Sequence, residues 1–298
     1  MRIFVTGATG FIGSALVPEL LSAGHQVLGL ARSKTGAESL LALGAQVHRG
    51  DLADLESLRQ GAARSDGVIH LAFTHDFSRF QEVCQQDYRA IEAMGEALAD
   101  SARPLLITSG TGITGGIPGC PVTENDLPEQ GSAIPRVLSE LAAASVAAKG
   151  VRVGVVRLPQ VHDTVKQGLV SYAIALARQK GVSAYVGDGL NRFPAVHLRD
   201  AARLYRLAFE KLETKVIYHA VAEEGVPLRD IAEVIGRGLN VPVVSLAPAD
   251  ARTHFGWLAE FVGRDLIASG ALTQRLLGWR PDGPGLLEDL RHMDYSPR

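Results

Sequence analysis

Short apolar runs alternate with amphipathic stretches along the first half of the chain. Ile3–Thr6, Gln26–Ala31, Gln46–His48, Val68–Phe73, Leu105–Ser109 and Val151–Leu158 read as strands. Phe11–Ala23, Ala37–Leu43, Leu55–Ala63, Ser78–Asp100 and Arg136–Lys149 read as the helices between them. The strand runs are almost unbroken in their hydrophobicity, as expected of parallel strands covered on both faces. Repeated β-α-β order with right-handed crossovers predicts an α/β fold with a doubly wound parallel sheet. A Gly-, Thr- and Pro-rich loop, Gly110–Ser132, follows the fifth strand.

Beyond Leu158 the rhythm loosens. Val165–Lys180, Asp200–Leu212 and Leu228–Gly238 read as helices and Val216–Val221 as a strand. This pattern predicts a cofactor domain over residues 1–158, to which 192–222 returns, and a smaller, mainly C-terminal substrate domain over 159–298.

Composition narrows the class. With 46% hydrophobic residues in 298 and a formal charge of −2, the chain is neither disordered nor basic enough to suggest nucleic acid. No apolar run approaches the roughly 18 residues of a membrane span, and the opening residues lack a signal peptide's apolar stretch. Cys84 and Cys120 show no metal-like spacing, so neither a metal site nor a disulfide framework is expected. The expectation is a cytoplasmic protein that binds a small molecule.

The sharpest local signal is Thr6-Gly7-Ala8-Thr9-Gly10-Phe11-Ile12-Gly13, placed between a strand and a helix. Gly7 permits the tight turn, Gly10 lets backbone approach a pyrophosphate, and Gly13 lets helix and sheet pack closely. With this Gly-x-x-Gly-x-x-Gly spacing the chain resembles the short-chain dehydrogenase/reductase superfamily in its extended or atypical, epimerase/dehydratase-like branch. Further segments support the likeness: Asp51-Leu52, His70-Leu71-Ala72, Thr108-Ser109-Gly110, Arg157-Leu158-Pro159, Tyr185–Gly189 and Val196–Ala202. The resemblance implies a Rossmann cofactor domain. It puts Thr9, Phe11 and Ile12 at the phosphates, Asp51 and Leu52 at the adenine, Leu71, Ala72 and Phe73 beside the ribose, and Pro159 beneath the nicotinamide.

The second strand ends in Arg32-Ser33-Lys34, where a site for NAD usually offers a carboxylate. Arg32 and Lys34 are cations suited to a 2′-phosphate, with Ser33 as an added donor, so NADP(H) is favoured over NAD(H); the alternative is that Arg32 stacks on adenine or faces solvent.

The superfamily's mechanism uses a Tyr and a Lys four residues later, together with a hydroxyl after the fifth strand. This chain has Arg136 and Glu140 at those two positions. Arg136 stays protonated and is a poor general acid, yet it can polarise a carbonyl; alternatively it forms an ordinary i,i+4 pair with Glu140. Ser109 and Thr111 offer hydroxyls to substrate or to the loop backbone. His75, beside Asp76 after the fourth strand, is an acid–base candidate or a surface residue. His162 and Arg192 are candidate substrate contacts, with Arg192 suited to an anionic group unless simply solvated. His197 reads as structural and His70 as part of a strand.

The leading expectation is an NAD(P)-dependent oxidoreductase, a reductase of a small carbonyl compound. The rivals are a nucleotide-sugar epimerase or dehydratase and a non-catalytic NADP(H)-binding regulator. Leu138, Leu141, Ala142 and Val146 form an apolar stripe that either pairs subunits of a homodimer, as in related proteins, or faces the chain's own sheet.

Overall fold

A computed structural model describes residues 1–115, 119–129 and 131–296. Residues 116–118 and 130, part of the expected Gly110–Ser132 loop, lie outside it.

The N-terminal half alternates strictly. β1 (Arg2–Thr6), α1 (Phe11–Ser22), β2 (Gln26–Ala31), α2 (Lys34–Ala42), β3 (Gln46–Arg49) and α3 (Leu55–Ala63) form its first part. β4 (Gly67–His70), α4 (Phe80–Leu98), β5 (Pro104–Gly110), α5 (Leu138–Ala148) and β6 (Arg152–Leu158) complete it. Then follow β7 (Gln160–His162), α6 (Val170–Lys180), β8 (Ser183–Val186), β9 (Arg192–His197), α7 (Leu198–Glu210) and β10 (Val216–His219). β11 (Glu223–Pro227), α8 (Leu228–Leu239) and β12 (Val243–Leu246) lead to short helices, the last of them Leu286–His292.

Seven strands form one sheet in the order β10-β6-β5-β4-β1-β2-β3, and every pairing in it is parallel. The order reverses between β1 and β4, so the carboxyl ends of these two strands border the crevice where open α/β sheets take ligands. This is the expected Rossmann fold. One face of the sheet buries Leu16, Leu20 and Leu204 from α1 and α7; the other buries Leu58, Ile91 and Val146 from α3, α4 and α5. Smaller sheets, β11-β9-β7 and β12-β8, lie outside it, and a third apolar cluster joins α6 and α8 to the C-terminal helices.

Several boundaries differ from the sequence reading, each for a local reason. The expected helix Val165–Lys180 begins only at Val170, because the Asp163 carboxylate accepts from the Val165 and Lys166 amides and holds a turn there. The expected Ala37–Leu43 helix starts early, at Lys34, because Ser33 Oγ caps it by accepting from Gly36 N at 3.0 Å. β4 ends at His70 instead of Phe73. The expected helix at Asp200 starts at Leu198, with His197 as its cap, Nδ1 accepting from Arg199 N. The chain bends through a 3₁₀ turn at Pro135–Val137 before α5 begins. In α5 Ala142 and Val146 are buried in the chain's own core, whereas Leu141 is exposed. Among the described residues no helix is long and apolar enough to cross a membrane, and no His/Cys/Asp/Glu group has a metal-binding arrangement.

Candidate functional site

The glycine turn has the geometry its spacing calls for. Gly7 has φ +68°, and a Cβ there would lie 2.8 Å from Ala72 N. A Cβ on Gly13 would lie 2.1 Å from Gly7 O, and one on Gly10 3.1 Å from it. Gly10 caps α1 without any side-chain hydrogen bond, so the first-turn amides of Phe11 and Ile12 have no intrahelical partner. Their positive helix end suits a diphosphate. Leu71 and Ala72 leave β4 alongside: Leu71 N donates to Thr6 O and Ala72 N to Thr6 Oγ1.

Thr9, Arg32 and Ser33 line an open pocket at the start of α2. Arg49 braces the loop from below, donating to Ser33 O at 2.5 Å and Arg32 O at 2.8 Å. The Arg32 side chain is 77% exposed, with Asp51 at 3.7 Å, a solvent-screened pair that holds it only weakly. Asp51 also caps its own turn by accepting from Ala53 N, and Leu52 packs against the core. Pro159 links β6 to β7.

Arg136 is the centre of the inner site. Sequence spacing alone would pair it with Glu140, but the structure separates the two. Arg136 lies in the 3₁₀ turn before α5, and its Nη1 donates to Asp87 Oδ2 at 2.7 Å and Ser139 Oγ at 2.5 Å. Its Nη2 donates to Thr108 O at 2.8 Å, and the guanidinium lies 4.0 Å from the centre of the Phe73 ring. Among the described residues, its Nε–H and one Nη2–H have no partner.

Asp87 is 2% exposed and accepts from three sides, from Arg136, from Ser139 Oγ at 2.6 Å and from His70 Nε2 at 3.0 Å. Burial alone would raise its pKa; Arg136 and the His70 and Ser139 hydrogen bonds outweigh this and hold it at about 2. The Asp87 carboxylate can only accept, so His70 Nε2 carries the ring proton that faces it, and in that tautomer Nδ1 accepts from Thr6 Oγ1 at 2.7 Å. A hydrogen-bonded line thus runs from the glycine turn to Arg136. The sequence reading missed Asp87 and Ser139 altogether.

Glu140 binds a different cation. It accepts two hydrogen bonds from Arg157, Nε to Oε1 and Nη2 to Oε2, both at 2.8 Å. Arg157 is fully buried and also donates to Asp126 O and His219 Nε2.

Ser109 Oγ is buried and unbonded among the described residues, while Thr111 opens the following 3₁₀ turn. His75 lies edge-on to Phe73 at 5.4 Å; burial, then the Lys166 and Arg136 charges, lower its pKa. Lys166, another residue missed from sequence, lies 5.6 Å above the Phe11 ring. The two expected substrate contacts are engaged elsewhere. His162 is fully buried with Nδ1 2.7 Å from Asp289, and burial lowers its pKa. Arg192 makes a two-pronged ion pair with Asp265, at 3.1 and 2.7 Å, in place of solvation or an open anion site.

The profile of the NAD dependent epimerase/dehydratase family matches residues 3–222, and the chain belongs to that family. An uncharacterized protein of Schizosaccharomyces pombe is 48% identical over 298 residues, covering 99% of this chain and 100% of its own. One from Saccharomyces cerevisiae is 47% identical over 299 residues and covers 99% of each. Among solved structures, the dTDP-glucose 4,6-dehydratase DesIV of Streptomyces venezuelae, with NAD and TYD bound, superposes with a TM-score of 0.77 at 22% identity. That match covers 99% of this chain and 96% of the other.

Proposed function

We propose that the protein is an NADP(H)-dependent reductase of a small carbonyl compound in which Arg136 is a fixed cation for the carbonyl oxygen. The observation that carries this reading is the state of Arg136. Asp87, Ser139 and Thr108 hold it in place while, among the described residues, two of its N–H groups have no partner. A preorganised donor of this kind stabilises charge developing on oxygen. A nicotinamide held by the glycine turn would supply the hydride to the carbonyl carbon and be oxidised in turn, while Arg136 stabilises the charge on the oxygen until solvent protonates it. An epimerase needs a group that gives up and regains a proton, a role a guanidinium cannot fill.

The fit to the cofactor rests on the glycine cradle, where a Cβ at Gly7 or Gly13 would strike backbone, and on the open amides of α1. Preference for the 2′-phosphate rests on Arg32, with Ser33 Oγ still able to donate while capping α2. Arg32→Asp is expected to weaken NADPH binding by about tenfold to 100-fold, the worth of a charged hydrogen bond, while NADH binding changes only a few-fold. Calorimetry on both nucleotides checks this, and equal losses would remove the NADP(H) preference.

The function itself is tested by following NADPH oxidation with a panel of aldehydes and ketones. Arg136→Met should lower kcat by about 100-fold or more with little change in NADPH affinity. NADPH uptake without turnover on any carbonyl would instead favour the regulatory reading.

A further inference from the structure

We infer that the carbonyl substrate is aromatic: its ring is received by a wall of aromatic side chains that runs outward from Arg136. The inference rests on the reductase reading for the reaction, but not for the binding of the ring.

The wall begins at Phe73, whose ring underlies the Arg136 guanidinium at 4.0 Å. His75 follows edge-on at 5.4 Å, and Phe77 lies 6.3 Å beyond it. Phe77, from the segment after β4, then stacks on Trp257, from the C-terminal part of the chain, at 4.1 Å and an interplanar angle of 9°. Tyr172 of α6 closes edge-on against both, 5.1 Å from Trp257 and 5.9 Å from Phe77.

Aromatic residues make up only 6% of this chain, so their concentration along one line from the proposed reacting end is selective. The wall is also not a closed core. Tyr172 and Trp257 remain 39% and 37% exposed, while Trp279 is 1% exposed. Partly exposed rings, Tyr172 and Trp257 foremost, that lead to a fixed polar group suit a small-molecule site.

The test is a fluorescence titration excited at the red edge of tryptophan absorption, with benzyl alcohol, butan-1-ol and UDP-glucose as probes. It is run on the protein alone and on its NADPH complex. Benzyl alcohol is expected to change Trp257 emission at about tenfold lower concentration than butan-1-ol, the ratio supplied by two aromatic contacts. The signal should vanish in Trp257→Leu, since Trp279 is buried, and the tenfold preference should shrink in Tyr172→Leu and Phe77→Leu, which retain the fluorophore. Equal responses to the two alcohols, a preference for UDP-glucose, or a benzyl preference untouched by Tyr172→Leu and Phe77→Leu would overturn the inference. If calorimetry finds no NADPH uptake while the benzyl preference holds, the reductase reading falls and the aromatic site stands.

Discussion

Asp87→Ala is expected to destabilise the protein by about 3–5 kcal/mol, the range for removing one partner of a buried ion pair. The carboxylate is 2% exposed and anchors three donors, Arg136, Ser139 and His70. Removing it leaves a guanidinium 13% exposed with no counter-charge, facing Thr108 O and the Phe73 ring. Thermal unfolding should show a midpoint lower by roughly 5–8 °C. Asp87→Asn keeps the shape and loses the charge, so most of the loss should persist if charge, and not volume, is responsible. The pH dependence follows from the depressed pKa. Asp87 contributes its stability fully above its unfolded value near 3.8 and loses it as pH falls through about 2. The gap between wild type and Asp87→Ala should therefore narrow across that acid window; a gap that stays constant would mean Asp87 acts by packing alone.

Gly13→Val should abolish measurable NADPH binding, a loss of more than about 100-fold. Its Cβ would stand 2.1 Å from Gly7 O and 2.7 Å from Ala8 Cα, both backbone, so α1 must tilt away from the turn. The Phe11 and Ile12 amides would leave the diphosphate position with it. Gly263→Ala is the control. Its Cβ meets nothing nearer than Ala259 O at 3.4 Å, so stability should stay within about 0.5 kcal/mol and cofactor affinity should be unchanged. Equal NADPH affinity in Gly13→Val and wild type would show that the cofactor does not lie on this helix end.

The glycine turn of the candidate site was legible from sequence because its determinants are local. Gly7 and Gly13 act on backbone within a few residues, and the unbroken apolar strands report a sheet covered on both faces. The inner site was much less legible. Asp87 reads as one polar residue on an amphipathic helix, and nothing nearby indicates that it meets His70 across the sheet edge and Arg136 49 residues on. The pairing of Arg136 with Glu140 assumed a helix running through both positions. The 3₁₀ turn at Pro135–Val137 rotates Arg136 off that face, toward α4. The partners of His162 and Arg192 were illegible for a similar reason: Asp289 and Asp265 lie 127 and 73 residues away.

The Glu140–Arg157 pair limits which residues position 140 can hold. A lysine placed at position 140 would confront a fully buried guanidinium already fixed by Asp126 O and His219. A tyrosine at position 136 would strip Asp87 of its cation. Neither residue can be introduced singly without stranding a charge in the interior, so positions 136 and 140 are interlocked with Asp87 and Arg157.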